Sequence, residues 1–278
     1  MIIDGNLIAV EVLGELGDLI DVLRQAHDEP LQLAAVLVGD DPEFKKFVDL
    51  KGKVADGVGI VFTTYKFPEE IGTEELRKNM REIVEWSDGV LVELPLPKHI
   101  DQQAILDEVP VKMDVDVLSQ DAQKLFYSNE SKINPPAVEA LSIVFEKNNI
   151  NPKGKKAVVF GAGILVGQPV AHWLEYRGAE VSVVRSKTDN PARISLKADI
   201  IVTGVGKPGI VNGDMVKDGA VVIDFGYGKK DGKMLGDVDA KTVSPKASLF
   251  TPVPGGMGPI LIATVLKNGE FRNPPAFL

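Results

Sequence analysis

Cysteine is absent from the 278 residues, which excludes disulfides, thiolate metal sites and cysteine nucleophiles together. Histidine is nearly absent: His27, His99 and His172 lie far apart, none at a metal-ligand spacing, and all three read as surface or packing residues. Basic residues are outnumbered, 31 against 40 acidic for a net charge of −9, and they form no block. Nothing in that balance attracts nucleic acid or an anionic membrane, so a small-molecule partner is expected. No apolar run approaches the ~20 residues of a membrane span, and the N-terminus lacks a basic start followed by an apolar core. A cytoplasmic protein without a metal is the expectation.

What is present is enough apolar material for a large core, 44% of the chain, in a length that suits two medium domains. Apolar runs and helical periodicities alternate. Residues 6–26 place Ile8, Val12, Leu16, Leu19, Ile20 and Leu23 at helical spacing. Residues 33–38 read as a buried parallel strand, and the Gly39-Asp40-Asp41-Pro42 turn after them as a helix start with acids at its positive end. That helix runs to about residue 58, followed by strand 61–65, helix 74–86 and strand 89–93, the last closed by prolines that cannot continue a sheet. A short helix follows at 103–108. Residues 112–131 show no clear period and read as a connection, after which a helix spans 136–148.

The centre of the second half is residues 155–188. Strand 157–160 leads into Gly161, Gly163 and Gly167, then helix 169–176, Gly178 and strand 181–184, a βαβ unit with a glycine turn at its first crossover. Glycine there lets backbone approach a pyrophosphate while the helix offers free N–H groups and its positive end. The GxGxxxG spacing taken alone is a weak signal, since a plain tight strand-to-helix turn also produces it. Strands 199–203 and 220–224 also stop in glycine-rich turns, and in an open α/β sheet a ligand lies outside the carboxyl ends of the strands. Residues 251–259, TPVPGGMGP, allow a binding loop or a structural hinge, and an apolar helix begins at about 260.

Taken with the strings VGDDP (38–42), GVLVELPLPKHID (89–101), DVD (114–116), SKT (186–188), VGKPG (205–209) and GDVD (236–239), these features resemble the bifunctional methylenetetrahydrofolate dehydrogenase/methenyltetrahydrofolate cyclohydrolase family, collinearly over nearly the whole chain. The resemblance implies an α/β fold of two domains flanking a cleft. It implies a folate-binding catalytic domain over 1–118, a Rossmann-like NAD(P)-binding domain over 136–257, and a C-terminal helix, 258–278, packing back on the first. It also implies a folate substrate, NADP and a homodimer. Lys51, Glu93 and Asp116 fall on its catalytic positions, and Phe47, Pro254, Gly255 and Gly256 on substrate-binding ones. Gly161, Gly163, Ile164, Val166, Gly167, Arg185, Ser186, Lys187, Gly206 and Pro208 fall on the cofactor side.

Departures cluster where folate would bind. Phe47 replaces the tyrosine of a Tyr-x-x-x-Lys pattern ending at Lys51, and Glu93 replaces the glutamine of LVQLPLP. Val117 to Gln120 replace Gly-Phe-His-Pro, Asn134 to Ala137 replace Pro-Cys-Thr-Pro, and Ala162-Gly163 replace an Arg-Ser pair. A carboxylate beside a lysine stabilises its charged form, the wrong one for a general base. The expected function is therefore oxidation of 5,10-methylenetetrahydrofolate with NADP+ and weak hydrolysis of the methenyl product to 10-formyltetrahydrofolate. The alternative is a non-catalytic paralogue that binds dinucleotide or folate. No acid follows the second strand of the βαβ unit before Asp189, which favours NADP over NAD, and Arg185 stands where the family commonly has histidine.

Overall fold

A computed structural model describes residues 1–27, 30–230 and 232–270, which divide into two units. The expected 271–278 end of the last helix lies outside the described residues.

One unit comprises Val10–Pro136 with the chain from Ile262 onward. Helix α1 (Gly5–His27) enters it, and strands β1 (Gln32–Val38), β2 (Val61–Phe67) and β3 (Gly89–Val92) form a parallel sheet of order β2-β1-β3. β1 lies in the middle, flanked on both sides, and its residues from Leu33 to Val38 are all buried, as a near-continuous apolar run requires. Helix α2 (Pro42–Gly57) starts where the acids and proline predict: Asp41 caps it by accepting from the Glu43 N–H at 2.7 Å, with Pro42 in the first turn. Helices α3 (Thr73–Glu85) and α4 (Gln102–Leu106) complete the alternation.

Residues 112–131 are not a bare connection. They hold helix α5 (Gln120–Tyr127), capped by Ser119, and they bury Val115, Val117, Leu118 and Phe126. The eight-residue helix is too short to show a period. What orders the segment is the buried Asp114 carboxylate, which accepts from the N–H groups of Leu118 and Ser119 and from the Ser119 hydroxyl at 2.7–2.8 Å. These bonds hold Val117 at φ +58°, a left-handed conformation that β-branched residues seldom adopt.

The other unit comprises Met1–Ala9 and Ala137–Leu261. After helix α6 (Pro136–Lys147) come β4 (Lys156–Phe160), α7 (Gly167–Tyr176), β5 (Glu180–Val184), α8 (Pro191–Ser195), β6 (Ile200–Thr203) and β7 (Val221–Asp224). A two-stranded hairpin, β8 (Gly228–Lys230) and β9 (Lys233–Leu235), precedes α9 (Ala240–Val243), β10 (Leu249–Phe250) and α10 (Met257–Glu270). The sheet is parallel with order β10-β7-β6-β4-β5, so the strand order reverses beside β4. Residues 1–9 count with this unit rather than the first because they pair with its edge: the Ile3 N–H donates to Phe250 O and the Phe250 N–H to Met1 O, each at 2.9 Å. From Ile262 on, α10 belongs to the other unit, where Ile262, Val265 and Leu266 share a core with Leu16, Ile20 and Leu33 and Asn268 donates to Val115 O.

Candidate active site

In the first unit, Phe47 and Lys51 project one helical turn apart from α2, and Glu93 follows the last residue of β3. Lys51 Nζ lies 2.5 Å from Glu93 Oε1, and the two side chains retain only 8% and 9% of their exposure. The Phe47 ring adds a cation–π contact, its centroid 5.0 Å from the same nitrogen. The Glu93 N–H donates to Val36 O, which ties the carboxylate to the central strand of the sheet. Asp116, the third expected catalytic residue, is half-buried two residues beyond the Asp114 hub. The structure joins Lys51, Glu93 and Phe47 directly. His99 is tied to Ile71 O at 3.0 Å, a packing role.

In the second unit, Gly161, Gly204 and Gly206 follow the carboxyl ends of neighbouring parallel strands. The loop from Thr251 follows a third strand, β10, at the same edge, with Gly255 accepting from the Gly5 N–H at 2.7 Å. A Cβ on Gly167 would stand 2.3 Å from Gly161 O, so only glycine lets α7 leave the turn without a shift of the backbone. A Cβ on Gly163 would meet nothing within 4 Å, so no neighbouring atom of the protein requires that glycine. The N-terminus of α7 has no side-chain cap. Val166 packs on Gly204, where an added Cβ would come within 2.6 Å of it. Ile164 is half-buried, and Arg185, Ser186 and Lys187 are exposed in the turn after β5.

Sequence reasoning passed over two residues in this edge. Asp224 and Asp237 are 1% and 0% exposed. Burial pushes the Asp224 carboxyl up to about 7, with the Asp237 charge adding to the rise and the N–H groups of Val238 and Gly226 working against it. A carboxyl raised from about 3.9 in the unfolded chain stabilises the fold fully below that value and loses the contribution as pH rises through about 7. Folding stability should therefore be higher at pH 6 than at pH 8, with the difference reduced in Asp224→Asn. Denaturant midpoints at the two pH values check this, and a wild-type midpoint that does not fall by pH 8 would count against it.

An open parallel sheet with a glycine turn, an uncapped helix N-terminus and strand-end loops at one edge defines a dinucleotide-binding α/β protein. The tetrahydrofolate dehydrogenase/cyclohydrolase catalytic-domain model matches residues 3–116, and the NAD(P)-binding-domain model of the same name matches 135–270. The chain is 39% identical to the bifunctional protein FolD of Mycoplasmopsis synoviae over 274 residues, 96% of this chain and 97% of the relative. Its fold superposes with a TM-score of 0.94 on the bifunctional FolD methylenetetrahydrofolate dehydrogenase/cyclohydrolase of Campylobacter jejuni, at 33% identity and 98% coverage of each chain. For the Trypanosoma brucei FolD complexed with NADP cofactor and inhibitor the TM-score is 0.92, at 31% identity and 97% and 95% coverage. The chain belongs to the tetrahydrofolate dehydrogenase/cyclohydrolase family.

Proposed function

We propose that the protein oxidises 5,10-methylenetetrahydrofolate to 5,10-methenyltetrahydrofolate with NADP+ and hydrolyses the methenyl product only slowly to 10-formyltetrahydrofolate. The observation that carries the reading is the collinear match of both family models across the two halves of one chain. NADP+, when bound, accepts the hydride. The protein's share is orientation, which tolerates altered side chains better than proton transfer does. Gly161, Gly163, Ile164, Val166 and Gly167 would hold the pyrophosphate against the uncapped end of α7, with Gly206 and Pro208 facing the same ligand and Arg185, Ser186 and Lys187 its 2′-phosphate. Phe47, Pro254, Gly255 and Gly256 would contact folate, and Asp116 would grip the pterin.

Oxidation leaves the folate with a positive charge. A Lys51–Glu93 pair of zero net charge does not oppose that charge as a lone buried ammonium would. Hydrolysis needs a base instead, and an ammonium held in an ion pair has no lone pair to offer. A homodimer, as the family resemblance implies, and a cytoplasmic location complete the reading; among the described residues, no helix is long and apolar enough to cross a membrane. The deciding assay supplies methylenetetrahydrofolate with NADP+ or NAD+ and follows methenyl formation and decay together. Formation with slow decay is expected; no reduction of either cofactor would leave the non-catalytic paralogue.

The two glycines give a separate test. Gly167→Ala should lower the melting temperature by several degrees, since overpacking against the Gly161 carbonyl costs about 1–3 kcal/mol. Gly163→Ala should leave melting unchanged and weaken NADPH binding several-fold, because its methyl would enter only the ligand's space. Unaltered NADPH affinity in Gly163→Ala would remove that glycine from the site.

A further inference from the structure

We infer that Asp237 is a positioning residue for the dinucleotide, holding the 203–207 loop in its binding shape, with Asp224 as the second anchor that fixes Asp237 in place. The inference rests on the reading of Gly206 and Pro208 as cofactor groups. Asp237 Oδ2 accepts from the Thr203 hydroxyl at 2.5 Å and the Val205 N–H at 2.6 Å, while Oδ1 accepts from the Lys207 N–H at 2.6 Å. One carboxylate thus brackets Gly206, which sits at φ +74°. Asp224 receives the N–H groups of Gly226, Asp237 and Val238. Both carboxylates occupy space that only glycine leaves open: a Cβ on Gly226 would stand 2.3 Å from Asp237 Cγ, and one on Gly236 would stand 2.1 Å from Asp224 Oδ2. Two buried carboxylates side by side are costly unless hydrogen-bonded, and most of the N–H groups that satisfy these come from the loops at the cofactor edge.

An amide cannot replace Asp237. Asparagine offers one oxygen and one NH2, so in either orientation the NH2 faces the Val205 or the Lys207 N–H and the loop must release at one end. Asp237→Asn should raise the NADPH dissociation constant, measured by calorimetry, about tenfold. KM for NADP+ should rise in step, with kcat and the folate KM unchanged. Thr203→Val removes only the hydroxyl bond and keeps both amide bonds, so its NADPH affinity should stay within about threefold of wild type. In the wild type, hydrogen exchange should be slow at the Lys207 amide although the residue is exposed, and fast at Gly206.

Equal NADPH affinity in wild type and a folded Asp237→Asn would overturn the positioning role while leaving the cofactor assignment standing. Equal losses in Asp237→Asn and Thr203→Val would also overturn it, since the amide bonds would then not be what matters. Fast exchange at Lys207 in the wild type overturns it even if neither variant folds. Absence of NADPH binding to the wild type would remove both the role and the cofactor assignment.

Discussion

Glu93→Gln raises the rate of methenyl hydrolysis about 10²-fold while changing the dehydrogenase rate severalfold at most. Glu93 and Lys51 form a buried ion pair at 2.5 Å, and the Phe47 ring packs against the ammonium. Glutamine keeps the shape and a hydrogen-bonding oxygen but removes the charge. The substitution removes the ion pair that ties up the Lys51 amine, and a working general base is worth roughly 10²- to 10⁴-fold. Phe47→Tyr alone adds one hydroxyl and leaves the ion pair intact, so about 0.5–1.5 kcal/mol bounds its effect. Methenyl decay is followed by absorbance in both variants, with melting curves to confirm folding. No gain in folded Glu93→Gln would sink the account of the weak hydrolysis.

Arg185→Ala lowers kcat/KM for NADP+ by roughly 10- to 100-fold and leaves kcat/KM for NAD+ unaltered. The turn after β5 is closed on itself, the Arg185 N–H donating to Thr188 Oγ1 at 2.8 Å and the Thr188 N–H to Arg185 O at 3.0 Å. The backbone is therefore fixed while the guanidinium stays exposed and has no protein partner among the described residues. Hydrogen bonds to a charged group contribute about 1.5–3 kcal/mol, and a guanidinium donates to a phosphate in pairs. The measurement belongs at low ionic strength, because salt screens an exposed charge. Equal loss with both cofactors would assign Arg185 to the fold instead.

The long elements were legible because each carries its own period or run. β1 reads as buried from its unbroken apolar residues, and the Phe47–Lys51 contact follows from four-residue spacing on α2. The short pieces that were missed, α8, β8, β9, α9 and β10, have two to five residues and show no period. Asp224 and Asp237 were missed for another reason. Asp224 reads only as the last residue of a strand and Asp237 only as part of the GDVD string, and the significance of each lies in bonds to groups up to 34 residues away, which only the folded sheet edge brings together. The 112–131 segment was misread because side-chain bonds to Asp114, rather than apolar periodicity, order it.

The pairing of Met1 and Ile3 with the edge at Phe250 has a consequence for how the unit folds: their backbone is satisfied only by a strand far along the chain, so the dinucleotide-binding unit closes through a contact of long sequence separation. For the same reason no single cut releases that unit whole. A fragment of residues 137–261 would bare the Phe250 strand edge that Met1 and Ile3 cover, and a bared strand edge recruits other chains. Joining residues 1–9 to 137–261 through a short flexible linker keeps the edge covered, and that is the form in which the unit should be obtained alone.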